Sequence, residues 1–393
     1  MHAARHTSRG VYTMFWTLTN MNRILVFNST KGGHFAEWIQ HLLNESYKDK
    51  ENKYYYVIPN DQKQLVTNND GNNLKIEYLI EDEINYCNNH SLIIDAYKKT
   101  ILLRKYAKKY NVNKIFLLSL MHYLPFCCMM LPSQIEISGI IYRIYLYEWK
   151  RISPIKKVVE IFKYLTIKYL NIKRAFILNG NFIAEYINRL YKTNKFSTIV
   201  DPFNSIEYSP SNLREKYVKD NSKIFIHIGA LTERKGTLTI LDAISLLPEH
   251  DKDKFTFIFA GKIHEEIKKI FYKKIEQANK HAKIIVFDCF CEDSFFHDLC
   301  YTCDGILIPY QNTTQSSGII GWAARYQKRV VAPSEGLLGK LIRIYKLGYR
   351  INNITPEKIK DSFYYDYSRN DTNYMNINQT RFFLKTIFDE LKN

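Results

Sequence analysis

The chain has 393 residues, with 56 Lys plus Arg against 39 Asp plus Glu, a formal net charge of +17 with His neutral. A composition of 46% hydrophobic and 24% charged residues is that of packed globular domains, and at roughly 100–200 residues per domain the length predicts two. Disorder, a collagen repeat and a small disulfide scaffold are excluded, and the seven Cys are expected as reduced thiols in a cytoplasm.

Residues 1–20 carry Arg5, Arg9 and a short apolar run from Val11 to Leu18 without a small-residue cleavage site, and read as an extension outside the fold. Met21 to Phe27 reads as the opening strand of an α/β domain. Phe35, Trp38, Ile39, Leu42 and Leu43 then fall on one helix face. Apolar runs recur at Tyr54 to Ile58, Ile76 to Ile80, Ile115 to Leu120 and Ala175 to Leu178, with an amphipathic stretch from Leu92 to Tyr110. The longest run, Ile115 to Leu131, is broken by His122 and Pro125 and falls short of the about 20 residues that a bilayer span takes. Strands alternating with helices predict a parallel sheet covered on both faces.

From Asp201 to Ser222 turn formers replace the periodicity, and a linker is expected there. Strands restart at Ile224 to Ile228, Phe255 to Ala260, Lys283 to Phe287, Gly305 to Pro309 and Arg329 to Ala332. Leu238, Leu241, Ile244 and Leu247 mark the first helix between them. The tail closes on a helical stripe of Phe382, Phe383, Leu384, Ile387, Phe388 and Leu391, assigned to the second domain. The expected plan is two Rossmann-like domains, residues 21–200 and 223–393, joined by 201–222, with parallel sheets facing across a cleft. Ligands of such sheets bind beyond the carboxyl ends of the strands.

Three loops at strand ends in the second half offer what a phosphate needs. In Gly229 to Gly236, Arg234 and Lys235 stand at a helix start, the one able to form a bidentate fork and the other a point charge. Ser316, Ser317 and Gly318 place hydroxyls and free amides before Ile319. Gly261, followed by Lys262, ends a strand of the same sheet. Taken singly, each also reads as a solvated turn or an ordinary Ser helix cap.

In this order the segments resemble the donor-binding domain of the retaining glycosyltransferases of GT-B fold, the group that builds lipopolysaccharide, capsule and other glycans from nucleotide-diphosphate sugars. The matching stretches are Gly229 to Gly236, Phe259 to Lys262, Asp304 to Pro309, Ser316 to Gly318 and Val330 to Pro333. The resemblance implies that Lys235 and Arg234 neutralise the donor diphosphate and that amides at Ser317 to Ile319 hold its phosphates. It also implies that the loop at Phe290 and Cys291 receives the nucleobase. Gly32, Gly33 and His34 would face the acceptor, and His122 would approach the transferred sugar. It further implies a UDP- or GDP-hexose donor, a glycan or polyprenyl-linked saccharide acceptor, no metal, no other cofactor and an α/β enzyme working in the cytoplasm or on the inner leaflet. Two Glu with seven residues between them are common in the family; Gln315 and Ala323 stand there. Ala230 replaces the Arg that often follows the strand-ending Gly, which leaves its role to Arg234.

Other readings stay open. Cys289, Cys291, Cys300 and Cys303 invite a zinc site, although the first pair is spaced Cys-x-Cys, and buried thiols are the simpler account. Basic residues gather at Lys98 to Lys109 and Lys156 to Arg174 among Tyr and Phe, as solvated helix faces do and as peripheral attachment to an anionic membrane requires. No nucleic-acid-binding motif accompanies the charge. An epimerase or a non-catalytic glycan-binding relative on the same fold would also tolerate Gln315 and Ala323.

Overall fold

The structure, a computed structural model, describes residues 21–31, 35–65, 70–88, 90–150, 152–203, 208–218, 222–311, 314, 316–368 and 372–392. The extension 1–20 therefore lies outside the described residues, as do Gly32, Gly33, His34 and Gln315. The chain forms two compact units, Met1–Tyr142 with Ser153–Val200 and Thr380–Asn393, and Arg143–Ile152 with Asp201–Gln379.

In the first unit β1 (Arg23–Phe27), β2 (Lys53–Pro59), β3 (Leu74–Leu79), β4 (Lys114–Leu117), β5 (Glu136–Ile141), β6 (Ile172–Leu178) and β7 (Phe196–Ile199) form a parallel sheet in the order β3-β2-β1-β4-β5-β6-β7. The helices are α1 (Phe35–Lys48), α2 (Glu81–Cys87), α3 (Leu92–Tyr110), α4 (Phe126–Met130), α5 (Pro154–Tyr169) and α6 (Asn181–Tyr191). Parallel crossovers are right-handed, so α1, which carries the chain from β1 back to β2, lies on one face of the sheet. The helices α3, α5 and α6 carry it the other way and lie on the other face.

The second unit has β8 (Lys223–Ile228), β9 (Phe255–Ala260), β10 (Lys283–Phe287), β11 (Gly305–Leu307), β12 (Arg329–Pro333) and β13 (Gly348–Ile351), parallel, in the order β10-β9-β8-β11-β12-β13. Around it run α7 (Arg214–Tyr217), α8 (Thr237–Ser245), α9 (Glu265–Ala278), α10 (Asp293–Thr302), α11 (Ile319–Arg325), α12 (Gly336–Ile344), α13 (Pro356–Ser362) and α14 (Tyr374–Ile377). Its core is aromatic: Phe225 stacks on Phe257 at 5.6 Å, and Phe363 lies 4.8 Å from Phe257. Among the described residues no helix is long and apolar enough to cross a membrane.

Two expectations about domain limits are corrected. The closing helix α15 (Thr380–Lys392) belongs to the first unit. Its Phe383, Ile387, Phe388 and Leu391 are buried, with Phe383 5.5 Å from Trp38 and Phe388 5.8 Å from Tyr54. Arg174 pairs with Glu390 at 3.1 Å, and Lys114 donates to the Leu391 carbonyl at 3.0 Å. The four buried side chains contribute roughly 6–12 kcal/mol of gross apolar burial, a strong reason for the helix to return. The expected linker is also packed. Phe203 meets Trp322 edge-on at 5.3 Å, and Arg214 pairs with Asp304 at 2.7 Å, both within the second unit.

Candidate functional site

In the six-stranded sheet the chain moves from β8 outward to β9 and β10, then returns to β11 on the other side of β8. That reversal opens a crevice beyond the carboxyl ends of β8 and β11, where ligands of open parallel sheets bind. The loop after β8 is Gly229 to Gly236, and the loop after β11 runs from Ile308 to Gly318.

Backbone geometry at the crevice requires glycine. Gly261, at φ +144°, would place a Cβ 2.0 Å from the Gly229 carbonyl oxygen, so no side chain fits where the two loops touch. Gly236, at φ +75°, would place one 2.4 Å from the Pro309 carbonyl oxygen. The Gly229 N–H donates to the Ala260 carbonyl at 2.9 Å, and Leu231 donates to Lys262 at 2.9 Å. Thr232 caps the next turn by accepting from the Lys235 N–H at 3.3 Å. Beneath it the buried His227 contacts the Leu307 carbonyl through Nδ1 at 2.8 Å and the Thr237 hydroxyl through Nε2 at 3.0 Å, tying β8, β11 and α8 together. Burial holds the His227 pKa down at about 4 and keeps the ring neutral.

On this frame Lys235 is folded inward. A Cβ on Gly229 would lie 3.0 Å from its Nζ, and the Nζ is 5.7 Å from the centre of the Tyr310 ring, within cation–π reach. No carboxylate among the described residues pairs with Lys235 or with the exposed Arg234 beside it. Desolvation, and then the Arg234 charge, pull the Lys235 pKa down to about 8. A half-buried cation next to a second cation, with no counter-charge, is a site prepared for an anion.

Tyr310 joins the two loops. The Ser317 hydroxyl reaches its phenol oxygen over a long 3.4 Å, and the Ile319 N–H reaches the Ser317 hydroxyl at 3.4 Å. The N–H groups of Ser317 and Gly318 have no partner among the described residues. Arg234, Lys235, Gly229, Gly261 and Ser317 to Ile319 are thus gathered at one crevice. Tyr310 is a member that the sequence did not announce. Its position after Pro309 resembles the end of a strand, and only the fold shows that it bridges Lys235 and Ser317.

The loop after β10 stands at the same edge, since the Gly261 N–H donates to Phe287 at 2.9 Å and the Ile263 N–H to the Asp288 carboxylate at 2.9 Å. Phe290 is 89% exposed there, a free aromatic surface, whereas Cys291 is buried and its thiol is pushed up to about 12 by burial. The Sγ atoms of Cys289 and Cys291 are 3.9 Å apart, and among the described residues no three His, Cys, Asp or Glu converge on a metal position. Asp251 and Asp253, an Asp-x-Asp triplet, precede β9 at the opposite, amino edge. Ala323 is fully buried in α11 and presents no polar group.

The first unit has its own reversal, between β1 and β4. Ser29 after β1 and the buried Tyr123 after β4 share a hydrogen bond of 2.8 Å, which ties those loops together. His122, expected near the sugar, lies in the short turn Leu120–His122 at this point. Gly139 on β5 permits that turn, because a Cβ there would meet the Leu117 carbonyl oxygen at 2.6 Å and the Leu120 Cβ at 3.1 Å. His122 reaches the surface, with its ring partly buried and Nδ1 2.9 Å from the Ser119 hydroxyl. Desolvation, followed by the charges of Lys99 and Lys163, lowers its pKa to about 4 and leaves it neutral at pH 7.

Two parallel α/β units, each with a crevice where its strand order reverses, are the parts of the GT-B fold, and the chain has this fold. Solved structures agree along nearly the whole length. The Anabaena HepE complex with UDP and glucose, 14% identical, matches with a TM-score of 0.66 over 95% of this chain and 99% of that one. The glycosyltransferase from Rickettsia africae ESF-5, 17% identical, matches with a TM-score of 0.67 over 95% and 98%. WaaG, a glycosyltransferase involved in lipopolysaccharide biosynthesis, is 10% identical with a TM-score of 0.61 over 94% of each chain. No protein-family model and no curated protein sequence matches the chain.

Proposed function

We propose that the protein is a glycosyltransferase that moves a hexose from a UDP- or GDP-sugar to a glycan or polyprenyl-linked saccharide in cell-surface polysaccharide assembly. It works with retention, without a metal, in the cytoplasm and in contact with an anionic membrane. The observation that carries this reading is Lys235, desolvated, next to Arg234 and without a carboxylate partner among the described residues, at the reversal of a Rossmann-like sheet. Neighbours of the same fold were solved with UDP, HepE and the S. aureus MnaA co-structure among them, which supports a nucleoside diphosphate as the anion.

In this reading Arg234 and Lys235 take the charge that develops on the diphosphate as the sugar C1–O bond breaks. The amides of Ser317 to Ile319 hold the phosphate oxygens, and Phe290 offers its face to the base. The acceptor hydroxyl bonds to C1 from the side the diphosphate leaves, and its proton passes to a departing phosphate oxygen. Positioning and fixed charge then supply the rate enhancement, with no protein nucleophile. His122, neutral, serves as a hydrogen-bonding group toward the sugar, and acceptor binding is assigned to Gly32, Gly33 and His34.

The buried Ala323 favours one second reading, a donor-binding relative without transfer, because it leaves the ribose without the usual carboxylate. Thermal shifts with UDP, GDP, ADP and CMP test the donor site, since a ligand at a hundred times its Kd stabilises by about 2.7 kcal/mol. Selective stabilisation by one diphosphate supports the reading, and no response from folded protein removes it. Donor consumption that requires an acceptor then separates a transferase from a binding protein or an epimerase.

A further inference from the structure

Helices α5 and α6 neighbour each other on one face of the first sheet, and each is apolar on two sides. The inner side of α5 is Tyr164 and Ile167, fully buried, with Tyr164 stacked on Phe196 at 5.3 Å. On its outer side Ile155, Val158, Phe162 and Tyr169 form a second stripe and are 78%, 66%, 54% and 69% exposed. In α6, Ile183, Ala184 and Ile187 point inward, while Phe182, Tyr186 and Leu190, four residues apart, are 63%, 50% and 50% exposed. The outer side of a helix on a water-soluble domain is ordinarily polar throughout; these two present rows of bulky apolar side chains there.

The charges around the stripes are mostly basic: Lys156, Lys157, Lys163 and Lys168 lie on α5, where Glu160 pairs with Lys163 at 3.6 Å, and Arg189 and Lys192 close α6, which carries the single carboxylate Glu185. A second copy of the chain docked on this face would bring cation against cation, whereas an anionic headgroup layer is complementary. Both helices also start at the carboxyl edge of the sheet, the edge that carries His122, and His122 senses Lys163 of α5.

We infer that the α5–α6 face docks on an anionic lipid bilayer, with Ile155, Val158, Phe162, Phe182, Tyr186 and Leu190 in the interfacial layer and the lysines against the headgroups. This deepens the membrane contact of the proposed function and depends on that reading only for what the bilayer presents, a lipid-linked acceptor beside His122.

The test is co-sedimentation of the full chain with vesicles of phosphatidylglycerol and phosphatidylethanolamine, and with vesicles of phosphatidylcholine alone. The native chain is expected to sediment with the first and far less with the second. The combined variant Ile155→Ser, Val158→Ser, Phe162→Ser should lose at least about tenfold in partitioning. The control Ile270→Ser, Tyr272→Ser, on exposed positions of α9, should lose nothing. Unchanged partitioning in the triple variant overturns the proposal, as does a native chain that ignores anionic vesicles. A native dimer in sedimentation velocity that the triple variant dissociates also overturns it, in favour of a second copy. A UDP thermal shift on each variant shows that the chain is folded and keeps the two readings apart. Vesicle binding without any UDP response sinks the donor site and leaves the face standing.

Discussion

Both units reverse their strand order beside their first strand, yet the loops at the two reversals are finished in opposite ways. Between β1 and β4 the loops are joined by neutral groups, Ser29 to Tyr123, and the nearby His122, held by Ser119 of its own loop, is uncharged. Between β8 and β11 they are joined through Tyr310 and hold Lys235 and Arg234 without a counter-charge among the described residues. Topology supplies a crevice in each case; in the proposed function the side chains suit one to an anion and the other to a neutral hydroxyl-bearing group. Outer surfaces differ as well, since the bulky apolar stripes of α5 and α6 have no described equivalent in the second unit.

The comparison breaks most visibly at the glycines. Gly261→Val puts a branched side chain where a Cβ already falls 2.0 Å from backbone, and should cost roughly 3 kcal/mol or more in denaturant unfolding and abolish UDP binding. Gly139→Val in the first unit should destabilise by a similar order but leave UDP affinity intact, if the nucleotide belongs to the second unit alone. Loss of UDP binding in both would show that the anion site is not separable.

Lys235→Met should weaken UDP by about 1–3 kcal/mol, read by titration calorimetry. The pH dependence sharpens this. The bound diphosphate favours the charged amine, whose pKa in the free protein is about 8. Affinity should therefore be complete below that value and fall as pH rises through it, by at most about tenfold per unit, and Lys235→Met should flatten the fall. Tyr310→Phe removes only the phenol oxygen that meets Ser317 and should cost about 0.5–1.5 kcal/mol of UDP affinity. His122→Gln should leave UDP affinity unchanged while slowing transfer to acceptor; weaker UDP binding would deny the division between the units.

All the strands of the second unit but the short edge strand β13 were legible, β8 and β9 most plainly because they are apolar runs buried on both faces. In the first unit β5 and β7 were not. The Glu-Ile-Ser-Gly-Ile-Ile run of β5 is interrupted by Gly139, which the close approach of the Leu117 carbonyl requires, and β7 has only four residues with Ser197 and Thr198 in the middle. Lys235, Arg234 and the Ser-Ser-Gly loop could be read because loop, strand and helix follow one another locally. Tyr310 could not, because its meaning lies in a contact between two loops far apart in sequence. The stripe of α15 was plain as a helix face, but its partners Trp38 and Tyr54 stand near the other end of the chain.

The return of α15 also orders events during synthesis. Apart from Arg143–Ile152, the second unit is inserted between residues 200 and 380 of the first, so it is complete in the emerging chain while the first still lacks a piece of its core. Until residues 380–392 are released, Trp38, Ile39, Leu42 and Leu43 of α1 have no cover from that helix. The half that is translated first is therefore the half whose core is completed last, and for the length of one domain's translation it leaves an apolar face open to chaperones and to its own neighbours on the polysome.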